Sequence, residues 1–169
     1  MIDPEYDVLI KTSLGFERIV ANRIKEIDPS VHVTPSPHGF KGLVLVKSGR
    51  LGKDELVEVI SREVVEADKI IPIMFESPAD PHSICRILEN EIRKYIKSDE
   101  SFAVRTTRRG RHQFTSVDVN VIVGDCVRRA TGASVNLRYP DKIVLVEIIQ
   151  DHAYISILPG SFEYHKYSR

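Results

Sequence analysis

Net charge is absent from this chain. Its 24 Lys/Arg balance 24 Asp/Glu, so it lacks the basic excess by which many nucleic-acid binders announce themselves. Cysteine is scarce. Cys85 and Cys126 are the only two, with no CxxC pair and no histidine at metal-ligand spacing. That excludes a disulfide framework and a zinc ribbon, and implies two reduced thiols packed in helices, with no metal bound. No run approaches the 18 apolar residues of a membrane span. The start, MIDPEYDV, lacks the basic-then-apolar order of a signal peptide. A soluble cytoplasmic protein is expected. Catalytic signatures are missing as well. There is no GxGxxG or phosphate loop, no HExxH, no GxSxG and no zinc-deaminase motif. The six histidines are scattered singly, and His32 and His38 flank a turn in surface or structural roles. No catalytic residue and no cofactor is assigned.

What remains is 42% hydrophobic, enough for a packed core and too much for a disordered chain. The first half alternates strand and helix patterns: Tyr6–Thr12 β-rich, a helical stripe from Phe16 to Ile27 stopped by Pro29, strands Val31–Thr34 and Leu43–Val46, a helix over Leu51–Val65, and a strand Lys69–Phe75 whose Pro72 marks an edge or bulge. This βαββαβ order is the ferredoxin-like motif. The second half begins at the turn PADPH with a helix through Lys97, then a strand Ser101–Thr106 and the basic loop TRRGRHQ. Residues 115–131 alternate at first like a strand, yet Val119, Ile122, Val123, Cys126, Val127 and Ala130 follow helical spacing. Thr115 or Ser116 suits the cap and Gly132 the C′ position. A short extended piece at Val135–Leu137 and a hairpin of Ile143–Ile149 with Tyr154–Leu158 complete an α+β chain. Its domains read as residues 1–77 and 78–169. Residues 1–77 carry a net −3 and residues 78–169 a net +3, which puts any polyanion site in the second half.

Two clusters there carry chemistry. Arg105, Arg108, Arg109 and Arg111 fall within seven positions at a strand exit, followed by His112. Guanidinium forks bind phosphate bidentately, Gly110 admits close backbone approach, and the helix starting near Thr115 offers free N–H groups to an anion. The bland alternative is a solvated charged turn. In the second cluster, Asn136 is suited to a base edge, Arg138 and Lys142 to phosphate, and Tyr139 to stacking on an unpaired base. Against this stands a purely local turn at Pro140-Asp141. Arg128 and Arg129 suit the negative end of the helix dipole, and Phe114 suits the core.

The second half resembles a THUMP domain. The resemblance is carried by Phe102-Ala-Val-Arg105, Arg108-Arg109-Gly110, Ser116 through Gly124, Val135-Asn-Leu-Arg-Tyr-Pro-Asp141 and Val146-Glu-Ile148. It covers residues 80–158, and the first half is similar to the ferredoxin-like domain that accompanies THUMP in its families. It implies a ferredoxin-like domain followed by an α/β THUMP domain with a small mixed sheet. It also implies binding of tRNA at the acceptor stem and 3′ end. In most such families the pair is fused to a methyltransferase, 4-thiouridine synthetase, deaminase or pseudouridine synthase. Here the chain stops just after the last THUMP strand. That resembles the stand-alone adaptor that serves N4-acetylation of cytidine in tRNA, with a separate RNA acetyltransferase as the enzyme, and implies that this chain does no chemistry itself. Residues 97–116, KSDESFAVRTTRRGRHQFTS, look like that subfamily. The alternatives are a detached tRNA-binding subunit of a methyltransferase or thiolation enzyme, and a plain protein–protein module.

Overall fold

The computed structural model describes residues 3–167 as two compact units. The first runs to Ile73 and resumes at Tyr164; the second is Met74–Glu163.

In the first unit the elements are β1 (Val8–Thr12), α1 (Glu17–Ile27), β2 (His32–Pro35), β3 (Leu43–Lys47), α2 (Lys53–Glu63) and β4 (Ala67–Pro72). The sheet order is β2-β3-β1-β4, with β1 antiparallel to both neighbours. This is the ferredoxin-like arrangement that the sequence predicts. Val20 and Ile24 of α1 and Leu56, Val57 and Ile60 of α2 bury their apolar stripes with Val8, Ile10, Val44, Val46 and Ile70 of the sheet. Two buried carboxylates tie the loops. Glu17 accepts from the backbone N–H of Gly15 at 2.9 Å and of Gly42 at 3.1 Å. Asp28 accepts from the hydroxyl and N–H of Ser30 and, at 3.1 Å, from the N–H of Leu51.

The second unit holds β5 (Phe75–Pro78), α3 (Pro81–Glu91), β6 (Ser101–Arg109), α4 (Ser116–Thr131), β7 (Ser134–Val135), β8 (Lys142–Ile149) and β9 (His152–Pro159). Its sheet order is β5-β9-β8-β6-β7, parallel where β6 meets β7 and β8 and antiparallel elsewhere. Asp80 caps α3 through the N–H groups of His82 and Ser83, and Pro81 follows at a position where no N–H is needed. Thr115 and Asp118 close a reciprocal capping box on α4, and Gly132 ends that helix at φ +77°. Helices α3 and α4 cover one sheet face, meeting Phe102, Val104, Val144, Val146 and Ile155. They also touch each other in a constant register. Cys85 Sγ reaches Ile122 O at 3.6 Å, Glu89 Oε1 receives Cys126 Sγ–H at 3.5 Å, and, in the turn just past α3, Arg93 Nε donates to Ala130 O at 2.6 Å. Each pair is 37 residues apart, one helical turn after the last, so the two helices run parallel.

Several boundaries differ from the sequence reading; the helix expected through Lys97, for one, ends at Glu91 and gives way to a 3-10 turn over Ile92–Lys94. The strand expected over Lys69–Phe75 is two strands in two sheets. It ends at Pro72, which has no N–H to continue the ladder, while Phe75 pairs with Ile155 of the other sheet. The break between units therefore falls at Ile73, not at residue 77. The tail returns to the first unit, where Lys166 O accepts from Ile70 N at 3.0 Å. Strand β6 also runs on to Arg109, through what the sequence suggests is loop. Among the described residues no helix is long and apolar enough to cross a membrane.

Acid should test the two loop carboxylates. Hydrogen bonds from Gly42 and Gly15 hold Glu17 below its ordinary value of 4.5. The Ser30 hydroxyl, with the N–H groups of Leu51 and Ser30, holds Asp28 below 3.8. A depressed folded-state value means stabilisation present in full above the unfolded value and lost as pH falls through the folded one. Glu17→Gln and Asp28→Asn should each be less stable than the parent at pH 7, with the deficit closing as the pH drops below about 4. Urea unfolding across that range measures it. A deficit that stays constant with pH would contradict the assignment.

Candidate nucleic-acid interface

The pleat of β6 decides where its arginines go, because successive side chains on a strand face opposite ways. Phe102 and Val104 lie in the core under α3 and α4, and Thr106 donates to Asn120 Oδ1 of α4 at 2.7 Å. Arg108 shares that face. Arg105 and Arg109 face the other side with Glu147 of β8. The four arginines are therefore not one patch.

Their partners differ accordingly. Arg105 bonds Glu163 Oε1 at 2.5 Å and Leu137 O at 2.6 Å. Arg109 is ion-paired at 3.5 Å with Glu147, a carboxylate only 1% exposed. Arg108 donates to Gly110 O at 3.2 Å and to His112 Nδ1 at 2.9 Å. His112 then carries its proton on Nε2 and donates it to Gln150 O at 2.6 Å. Arg111 alone of the four is exposed. Gly110, at φ +116°, faces the turn between β8 and β9. A Cβ there would lie 2.6 Å from Gln150 Oε1 and 3.1 Å from its Cα. The close approach that glycine permits is to the chain's own turn. Nor is the start of α4 an open anion site, since the capping box fills it and brings the negative charge of Asp118 to the positive helix end.

The second cluster is a built loop. Asn136 Oδ1 accepts from the N–H of Arg138 at 3.1 Å and of Tyr139 at 2.9 Å. Asp141 Oδ2 accepts from Ser101 N at 2.8 Å. Lys142 Nζ turns inward to Tyr95 O at 2.7 Å and pairs with Glu100 at 3.3 Å. Asn136, Asp141, Arg105 and Lys142 thus hold the loop's ends. Between them Leu137 and Tyr139 are exposed at 68% and 72%, and Arg138 is exposed beside them.

This loop borders a groove of about 520 Å³ against α4. Phe102, Val104 and Gly124 line its base, Val117 and Val121 one wall, and Val135 and Leu137 the other, with Asn120, Asp125 and Arg128 at the polar positions. Asn120 already accepts from Thr106 through Oδ1, which turns its amide N–H₂ to other partners. The sequence reading does not single out these groove residues, although it holds a signal for them. Val117 and Val121 lie four apart and off the buried stripe of Val119, Val123 and Val127, which marks an apolar second face on α4. Arg128 pairs with Asp125 at 2.7 Å. Exposed cations, an exposed ring and a largely apolar groove together suit an unpaired, charged, base-bearing chain.

Comparison with known proteins places the second unit in a family. Residues 79–158 match the THUMP domain family. An uncharacterised protein of Methanocaldococcus jannaschii is 40% identical over 161 residues, covering 95% of this chain and 43% of that protein. A tRNA (guanine(6)-N2)-methyltransferase of the same organism is 36% identical over 159 residues, 89% of this chain and 40% of that enzyme. The chain thus spans less than half the length of these relatives. In fold, it is similar to a crystal structure of a Pyrococcus horikoshii protein with a TM-score of 0.72 at 24% identity, over 92% of this chain and 55% of that one.

The two kinds of arginine should separate in a melting experiment. Arg105→Ala removes the link between Glu163 and the 137 carbonyl and should cost about 1–2 kcal/mol. Arg111→Ala should stay within about 0.5 kcal/mol of the parent. Equal losses in both would refute the division into bracing and presented residues.

Proposed function

With residues 79–158 a THUMP domain, we propose that this chain binds tRNA and presents it to a tRNA-modifying enzyme without performing the chemistry. The observation that carries the reading is the groove of about 520 Å³ beside α4, flanked by the presented loop of Leu137, Arg138 and Tyr139. Arg111 lies in the connection leading into α4, whose first turns line the groove. An unpaired 3′ end fits this arrangement. Its bases enter the apolar slot or stack on Tyr139, the Asn120 amide meets a base edge, and Arg111 and Arg138 contact phosphate. Arg105, Arg108, Arg109, His112, Asn136 and Lys142 serve by fixing the geometry of the surface.

The finer reading is an adaptor for a separate RNA cytidine acetyltransferase, forming N4-acetylcytidine in tRNA with the acceptor stem and 3′ end as the bound region. It rests on the resemblance of residues 97–116 to that adaptor family. The second reading is a tRNA-binding part of a methyltransferase, favoured by the similarity to a tRNA (guanine(6)-N2)-methyltransferase.

Two measurements test these levels separately. Arg111→Ala with Arg138→Ala should weaken tRNA binding and lower the slope of log affinity against log salt by about 0.7 for each phosphate no longer neutralised. Unchanged affinity and slope would sink the assigned surface. Nucleoside analysis of tRNA from cells lacking the protein should show loss of N4-acetylcytidine; loss of a methylated guanosine would replace the adaptor reading with the second one.

A further inference from the structure

The chain's two cysteines, 41 positions apart in sequence, face each other across the α3–α4 contact. Cys85 Sγ lies 3.6 Å from Ile122 O, one turn before Cys126. Cys126 Sγ lies 3.5 Å from Glu89 Oε1, one turn after Cys85. These two contacts bracket both sulfurs between adjacent turns of the parallel helices, and each thiol is among the groups that act on the other. Their access is unequal. Cys126 is 3% exposed and Cys85 9%. Cys85 lines an open groove of about 570 Å³ with His82, Arg86 and Arg129, which Cys126 does not reach. Neither thiol has a part in the surface assigned to RNA, and among the described residues no group of three His, Cys, Asp or Glu side chains is placed to hold a metal ion.

We propose that Cys85 and Cys126 form a reversible dithiol–disulfide pair that staples α3 to α4, with Cys85 the entry sulfur and Cys126 the closing one. The oxidant is a low-molecular-weight disulfide, R–S–S–R. Cys85, as its thiolate, attacks one sulfur. The R–S–S–R bond breaks, a Cys85–S–S–R bond forms, and the first RS⁻ leaves and takes up the proton Cys85 lost. Cys126 then passes its proton to Glu89, attacks Cys85 Sγ and displaces the second RS⁻, which takes up that proton. The two cysteines lose two electrons, and R–S–S–R becomes two RSH. Burial pushes both thiols above the ordinary cysteine value, Cys126 further, with Cys85 and Glu89 beside it adding to the rise. The exchange is accordingly slow at neutral pH and speeds up as the pH rises. Closing the bond locks α4, which also carries the groove wall of Val117 and Val121.

The experiment incubates the full chain with glutathione disulfide under native conditions, quenches with acid, alkylates, and reads intact mass and non-reduced peptides. Both thiols should disappear together in the monomer, yield a peptide linked through Cys85 and Cys126, and return on reduction. The oxidised form should melt roughly 10 °C higher, because the cross-link closes a loop of intermediate length. Cys126→Ser should stop at one glutathione on Cys85; Cys85→Ser should leave Cys126 unmodified. The proposal is overturned if both native thiols remain alkylatable while the urea-unfolded chain oxidises, or if the bond forms between chains. It is overturned equally if Cys85→Ser is glutathionylated as fast as Cys126→Ser. The wild-type thiol count decides the matter even where a serine variant does not fold.

Discussion

A strand can present its side chains only alternately, and the strand that crosses the second unit from Ser101 to Arg109 passes this rule on to everything around it. Phe102 and Val104 must face the helices, so Thr106 and Arg108 follow them, and Arg105 and Arg109 are turned away. From that division come the Arg108–His112–Gln150 bridge on one side and the Arg105 brace on the other. The brace holds the carbonyl of Leu137, and so sets one wall of the groove. The helix-facing residues set its base. A one-residue slip in this strand would exchange the core for the arginines.

The same rule explains what could be read from the amino acids. The ferredoxin-like half was legible because its helices have complete apolar stripes and two of its strands, β2 and β4, end at Pro35 and Pro72. Helix α4 was legible from Val119, Val123 and Val127 together with its Thr115 and Gly132 ends. The extent of β6 was not. Thr and Arg are compatible with a loop, and only the eight-residue parallel pairing with β8 keeps them extended. The arginine cluster was visible as composition, but its splitting was not, since partners such as Glu163 lie 58 residues away. The loop at Asn136–Asp141 gave the opposite outcome. Its residues were named, yet the short-range bonds of Asn136 and the inward turn of Lys142 assign bracing to some and presentation to others.

This separation matches the chemistry asked of a surface that receives a flexible polyanion. Guanidinium groups that are already bonded keep their place and add little to salt-dependent attraction; exposed ones supply it. An apolar slot supplies stacking and burial that salt does not screen. The second unit combines the two with few free charges, consistent with a chain whose net charge is zero.

The return of the chain to the first unit has a temporal side. Ile70 sits on β4, an edge of its sheet, and its N–H is satisfied by Lys166 O. The adjacent pair, Lys69 Nζ and His165 O, is 96 residues apart in sequence. A ribosome making this protein releases β4 long before its partner exists. Throughout synthesis of the entire second unit that edge stays open to any passing strand. The first unit is begun first and finished last, and the second unit must fold while the first is still unsealed.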